Sequence, residues 1–466
     1  MIKFILNREL IETDVHQGMT LLDFVRYEQN LKSVKIGCRE GDCGACTMLV
    51  GTGNNDDVKY KSLTSCITPI ANLHGKHVVT LEGLNMEQLS PVQSAMVENS
   101  GTQCGFCTPG FVVSLTGYCM SDKPVDSENA IDSIDGNICR CTGYKSIERA
   151  TTQIVNSLNT KNLNSPVQWA VDNKFIPQYF SEIPGRLKQI PEPDFAGEMV
   201  VGGGTDLYVQ KHDLMEEQKN IRPVSALRRD KMITLDKDVC TISASAVVSD
   251  LLESVEFNSL FRDIKKYLKL VSSTPVRNIG TVAGNFVNAS PIGDLTVFFL
   301  ALKTSLVLRS RSGEERIVRL QDFYKGYKLL DKSDDEIVDR LFFYIPDGGS
   351  AFNFEKVCKR QYLDIASVNT ACSVITDDAD GMKEVIISAG GVGPTPRVLH
   401  KVCKHLTGKK ISASTVREAL QKLPDDISPM SDVRGSAAYK TLLLEQLIKA
   451  HFITLFPSMI KEEELL

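Results

Sequence analysis

Eight of the 13 cysteines fall into two four-cysteine groups within the first 141 residues, which constrains the N-terminal third more than any other feature. Cys38, Cys43, Cys46 and Cys66 read C-x4-C-x2-C-x19-C, the plant-type ferredoxin spacing that wraps a short loop around a [2Fe–2S] cluster. Cys104, Cys107, Cys139 and Cys141 form the second group, in the segments CGFCTPG and CRCTGY. Each iron of such a cluster takes two thiolate sulfurs in a tetrahedral field, so close pairs of cysteines on tight backbone present them well. Gly37, Gly41 and Gly44 interleave with the first three ligands and permit positive φ and close approach of backbone amides to the cluster sulfides. Two alternatives compete. Zinc sites usually pair C-x2-C elements, which the first group does not do and the second, taken alone, resembles more closely. A disulfide framework belongs to small secreted domains, and the chain opens with no charged n-region and apolar h-region.

The 466 residues suffice for about three domains, each with its own core. A net charge of -5 without a basic run argues against a nucleic-acid partner. No apolar stretch approaches the ~18 residues of a membrane span, and VFFLAL (297–302) is short and soon followed by charge. A cytoplasmic protein is expected, with the scattered Cys119, Cys240, Cys358, Cys372 and Cys403 as buried small hydrophobes.

Residues 1–84 predict a small sheet with one helix: a hairpin from IKFILN and ELIETDV, then TLLDFVRYE with Thr20 as cap. Over 85–160, PVQSAMVENSG, PGFVVSLTGYCM and YKSIERATTQIVNSL carry i, i+3, i+4 apolar spacing and predict a helical bundle, with Pro91 and Pro109 in first turns. Helix N-termini near Cys107 and Cys141 would favour an anionic thiolate cluster. NSLNTKNLNSP (156–166) has a linker's composition. Beyond it, strand-like MVVGG, CTISASAVV and SLVLRS alternate with helical DLLESVEFNSLFRDIKKYLKLV, the pattern of an α/β or α+β domain. The acidic runs SDDE (333–336) and DDAD (377–380) are expected as solvated loops.

Two glycine-rich segments, VVGGGTDL (200–207) and TPVRNIGTVAGNFVNASPIGDL (274–295), expose small residues whose backbone N–H groups are suited to cradle a pyrophosphate. Neither is the G-x-G-x-x-G of a Rossmann unit. Taken singly, a glycine triplet is more often a plain turn. Iron–sulfur clusters pass single electrons and need a two-electron partner to meet hydride chemistry, which a flavin supplies.

Taken in order, GCREGDCGACTMLV, TQCGFCTPG, GNICRCTGY, VGGGTDL, TPVRNIGTVAGN and ASPIGDL resemble the small, iron–sulfur/FAD subunit of two-component xanthine dehydrogenases in the molybdenum hydroxylase family, over residues 1 to about 460. The resemblance implies an α+β multidomain chain: a β-grasp [2Fe–2S] ferredoxin domain (1–84), a four-helix [2Fe–2S] domain (85–160), an α+β FAD-binding domain (166–346) and a smaller C-terminal α/β part (350–460). It places FAD contacts on Val200, Val201, Gly202, Gly203, Gly204, Thr205, Asp206 and Leu207, on Thr281, Val282, Ala283, Gly284 and Asn285, and on Val271, Asp294 and Lys356. It also puts the second cluster against the pterin of a molybdenum cofactor, with Cys141 touching both. Lys356 opens a K-x-S-x-R-x3-D-I-A type motif in which Cys358 replaces the usual serine and Lys359 and Arg360 the usual arginine pair, which leaves the nicotinamide side open. GGVGPTPRV (390–398) also matches, its glycines in a structural role.

The family's molybdenum domain has no counterpart in these residues, so the resemblance implies a molybdopterin-binding large subunit as partner, in a heterotetramer of two of each, and no catalytic base here. Electrons would pass from molybdenum through the second and then the first cluster to FAD, and on to NAD+ or O2. The substrate class stays open between xanthine and the aldehydes, nicotinate or other heterocycles of related enzymes. A structural zinc protein with a nucleotide-binding module is the reading from a different class.

Overall fold

The computed structural model describes all residues except 55–56, 194, 196, 225–230, 347–349, 361 and 466. It divides into two compact units, Met1–Leu227 with Ser273–Gly280, and Arg228–Ser272 with Thr281–Leu466. The fold is α+β and multidomain. Among the described residues, no helix is long and apolar enough to cross a membrane.

In the first unit, β1 (Ile2–Leu6) and β2 (Glu9–Thr13) form the expected antiparallel hairpin. β3 (Thr47–Asn54), β4 (Asp57–Thr64) and β5 (Lys76–Val79) complete a sheet of order β2-β1-β5-β3-β4, in which β1 and β5 run parallel. Strand alternation sorts side chains to two cores. Phe4, Leu6, Met48, Val50 and Val78 join one, while Ile5, Leu49 and Val79 join the other. Against the first core lies the short helix Leu21–Asp23, capped by Thr20 and continued by wider turns over Phe24–Glu28; Phe24 meets Phe4 edge-on at 5.8 Å.

The second core holds the helices Pro91–Glu98, Thr108–Cys119, Ser127–Asp132 and Lys145–Ser157, with Pro91 and Pro109 in first turns as expected. Ser90 and Gln93 cap the first of these reciprocally. The same core continues through Val167, Ala170, Phe180 and Leu187. Within the stretch expected as a linker, Lys161 Nζ donates to the Tyr118 carbonyl at 3.0 Å and lies over the Tyr118 ring. β6 (Met199–Val201) and β7 (Ile221–Pro223) pair in parallel nearby in sequence.

The second unit has one continuous core. β8 (Ile233–Asp236), β9 (Val239–Ser243), β10 (Ser305–Arg309), β11 (Glu315–Arg319) and β14 (Ile337–Tyr344) form a sheet of order β11-β10-β14-β9-β8, with β12 (Tyr324–Gly326) and β13 (Leu329–Leu330) as a small ribbon. β15 (Ala351–Val357), β16 (Val368–Thr376), β17 (Met382–Gly390) and β18 (Arg397–Val398) form an antiparallel sheet. Of VFFLAL, Val297 to Ala301 are buried in the helix Asp294–Ala301, and Leu302 is its partly buried C-cap residue. DLLESVEFNSLFRDIKKYLKLV is broken into helices ending at Glu253, Asn258 and Lys269, because Ser254 turns its hydroxyl to the Phe257 N–H and restarts the helix. SDDE is not wholly solvated: Glu336 is buried against Arg316 at 2.6 Å.

Candidate metal centres and flavin loops

The first cysteine group gathers around the loop between the Phe24–Glu28 turns and β3, with Cys66 supplied by the turn after β4. Cys46 and Cys66 Sγ lie 3.3 Å apart and are buried; Cys38 and Cys43 are partly exposed. The Cys38 N–H donates to Cys43 Sγ at 3.4 Å and the Glu40 N–H to Cys38 Sγ at 3.3 Å. Gly37 must lack a side chain, since a β-carbon there would sit 2.5 Å from Cys43 Sγ. Contact with the Cys43 and Cys66 thiols holds Cys38 far below the usual thiol range, while Cys38 and burial push Cys43 far above it. Sulfurs packed this closely cannot all ionise unless a cation lies among them, so the soft donor set fits a metal centre.

In the second group, Cys104 and Cys141 Sγ are 3.5 Å apart and exposed, while Cys139 is buried. The Phe106 N–H holds the Cys104 thiol below its usual range. Burial opposes ionisation of Cys139, yet the Thr142 hydroxyl at 3.1 Å and N–H at 3.5 Å bring it down. Cys107 is the N-cap residue of the Thr108–Cys119 helix, and burial followed by the Cys139 contact raises its thiol to about 12. The Cys139 N–H donates to the Tyr144 hydroxyl at 3.2 Å, and Tyr144 adopts φ +67° just before the Lys145–Ser157 helix. Each four-cysteine set is thus brought together within the first unit. Cys119, Cys240, Cys372 and Cys403 are buried as expected, whereas Cys358 is partly exposed, its thiol directed at the Arg360 carbonyl at 2.8 Å.

The residues that brace these loops carry no signal in the cysteine spacing. Asp23 grips Arg39, the residue after Cys38, through two bonds of 2.7 Å. Asp23 also gathers with His212 and Glu216, but the guanidinium already supplies positive charge there. Asn137 and Asp135 precede Cys139, and Asp135 receives buried Arg277 at 2.5 Å.

The expected flavin contacts divide between the units. Val200 to Leu207 belong to the first; Val271, Thr281 to Asn285, Asp294 and Lys356 belong to the second. Gly204 has φ +85°, and a β-carbon there would come within 2.9 Å of Pro69 Cδ and 3.0 Å of the Ile67 carbonyl, while one at Gly203 would strike the Ile279 carbonyl. These two glycines make room for the protein's own backbone, the turn after Cys66 and the Ser273–Gly280 segment, beyond any role toward a ligand. In the second unit, the Val282 N–H donates to the Ala246 carbonyl at 2.9 Å, and the Gly284 and Asn285 N–H groups donate to Thr281 at 3.1 Å. Those amides are engaged within the protein. Gly284 is exposed and Thr281 and Asn285 half-exposed, so small and polar groups face outward from this loop, which fits a ligand lying against it. Lys356 is buried, its ammonium shared between Asp294 Oδ2 and the Leu270 carbonyl, both at 2.7 Å, and Asn369 completes the Asp294 carboxylate.

Four family models match in succession: a 2Fe-2S iron-sulfur cluster binding domain (4–71), a [2Fe-2S] binding domain (80–152), an FAD binding domain in molybdopterin dehydrogenase (180–346) and a CO dehydrogenase flavoprotein C-terminal domain (354–455). Xanthine dehydrogenase of Emericella nidulans is 29% identical over 94% of this chain and 37% of its own length. Aldehyde oxidase 2 of Mus musculus is 27% identical over 99% of this chain and 39% of its own. The chain therefore spans under half the length of these relatives. Among solved structures, a carbon monoxide dehydrogenase chain from Hydrogenophaga pseudoflava superposes with a TM-score of 0.52 at 21% identity, covering 56% of this chain and 91% of that one. Two 2Fe-2S domains, an FAD-binding domain and a flavoprotein C-terminal domain in this order place the chain in the iron–sulfur/FAD part of the molybdenum hydroxylase family.

Proposed function

We propose that the chain is the electron-transfer subunit of a xanthine dehydrogenase, working with a molybdopterin-binding large subunit as a heterotetramer of two of each, in the cytoplasm, with NAD+ as acceptor. The observation that carries this reading is the gathering of two separate four-cysteine sets in a chain that also has an FAD-binding domain. Cys38, Cys43, Cys46 and Cys66 would hold one centre, and Cys104, Cys107, Cys139 and Cys141 the other. Val200 to Leu207, Val271, Thr281 to Asn285, Asp294 and Lys356 would hold FAD, within domains at 1–84, 85–160, 166–346 and 350–460. Bound there, the clusters pass single electrons and the flavin pools two for hydride transfer to NAD+. The protein's own part is to fix positions and exclude water: buried Cys46, Cys66 and Cys139 shield one side of each set, and the Lys356–Asp294 pair supplies a buried charge and its counter-charge.

A second reading, the same subunit serving an aldehyde-oxidising partner, is favoured by the near-equal likeness to aldehyde oxidase 2. One assay separates them. The purified chain should oxidise NADH with an artificial acceptor but leave its iron unreduced by xanthine; adding the molybdenum subunit should make xanthine reduce it. Reduction by aldehydes alone would favour the second reading, and xanthine turnover by the chain without a partner would defeat both.

A further inference from the structure

We propose that Asn137 is a positioning residue that fixes the spacing of the two iron–sulfur centres and so sets how fast an electron crosses between them. This rests on the electron-carrier reading above. Asn137 is 6% exposed and stands two residues before Cys139. Its Nδ2 donates to the Gly44 carbonyl at 3.1 Å and to Thr47 Oγ1 at 3.4 Å. Its Oδ1 accepts from Ser114 Oγ at 2.8 Å. Gly44 lies between Cys43 and Cys46, and Ser114 lies in the helix that Cys107 caps. One buried amide therefore joins segments carrying ligands of both centres.

The neighbouring backbone repeats the link, since the Ile138 N–H donates to the Cys43 carbonyl at 3.0 Å. The approach is shaped for this side chain: a β-carbon at Gly44 would lie 2.5 Å from Asn137 Nδ2, and one at Gly110 would lie 2.9 Å from it. Asp135, two residues before Asn137, is anchored by the Thr274 N–H at 2.7 Å and by Arg277. The stretch from Asp135 to Cys139 is thus held along its length. The amide offers a donor toward Gly44 and an acceptor toward Ser114 from two separate atoms of one short side chain. A carboxylate at the same place would set one acceptor against another. In the step concerned, one electron leaves the centre at Cys104, Cys107, Cys139 and Cys141 and enters that at Cys38, Cys43, Cys46 and Cys66, with no bond made or broken.

The test uses the full chain with Asn137→Asp, Asn137→Ala and Ser114→Ala variants, loaded with iron and reduced with dithionite. Low-temperature EPR reads the magnetic splitting between the two reduced centres, and freeze-quench reads the rate at which an electron equilibrates between them. The Asn137 variants should retain about four irons per chain and both signals, with altered splitting and transfer slowed about tenfold, the effect of a barrier higher by roughly 1.4 kcal/mol. Ser114→Ala, which leaves the Gly44 bond, should give a smaller change in the same direction. Should Asn137→Ala fail to load, Asn137→Asp and Ser114→Ala decide by the same criteria. Unchanged splitting and rate in loaded Asn137→Asp would overturn the inference, whereas a wild-type chain lacking two iron–sulfur signals would overturn the reading beneath it.

Discussion

Gly110 stands in the first turn of the Thr108–Cys119 helix, where an alanine would ordinarily add stability of about 0.5–1 kcal/mol through backbone entropy. Here the sign reverses, because a β-carbon would run into the Gly44 carbonyl and crowd Asn137. Gly110→Ala is expected to cost about 1–3 kcal/mol in urea unfolding, as overpacking does. His77 is a buried titratable residue of the first unit. It is buried and satisfied as a neutral ring, its Nδ1 2.6 Å from the Tyr60 hydroxyl and its Nε2 2.9 Å from the Asn7 carbonyl, and burial lowers its pKa from 6.5 to about 3. Because the folded value is depressed, its stabilisation is present above pH 6.5 and is lost as pH falls toward about 3, where the unfolded chain gains the proton first. His77→Gln should flatten the fall in unfolding free energy between pH 6.5 and 4; an unchanged slope would assign the acid sensitivity elsewhere, such as to buried His451. The cysteines were legible because ligand spacing is local and chemically restrictive. Asn137, Asp135 and Arg277 were not, since Arg277 meets Asp135 from 142 positions away and nothing in either neighbourhood announces the other.

The short stretch Ser273–Gly280 departs from its neighbours in the chain. It belongs to the first unit although the residues on both sides belong to the second. Thr274 and Arg277 bind Asp132 and Asp135, and Asn278 donates to the Ser62 carbonyl at 2.8 Å. Asp135→Ala removes the carboxylate held at 2.5 Å against the buried Arg277 guanidinium, so a loss of about 3 kcal/mol is expected, read by denaturant unfolding of the first unit. Gly204→Val places its clash on Pro69 and Ile67, next to Cys66. Iron loss should therefore accompany flavin loss in that variant; full iron with no flavin would mean the loop acts on the ligand alone. In the sequence, this loop reads as a possible phosphate cradle because glycines after a strand look alike whether they admit a ligand or another backbone. Strand pairs and capped helices in the first unit were legible from alternation and from Thr20, Pro91 and Pro109. The break at Ser254 was not, since apolar periodicity runs on across a serine that restarts the helix.

For the whole molecule, the order of the cysteine groups and glycine loops was enough to expect the family, and the matched domains follow that order. What periodicity could not convey is that the residues between two expected flavin contacts fold with the iron–sulfur half. On the proposed reading, one chain holds two [2Fe–2S] centres and a flavin. On that reading, Cys43→Ser should remove about half the iron, because each cysteine set would hold its own centre and the metal energy would support its own loop; loss of all iron would contradict that independence. Most direct is the iron, sulfide and FAD content of the wild-type chain, measured with the EPR spectrum of its reduced form. The expected result is about four irons, about four sulfides and about one FAD per chain, with two distinct iron–sulfur signals. Zinc in place of iron, or a single signal with no flavin, would contradict the account.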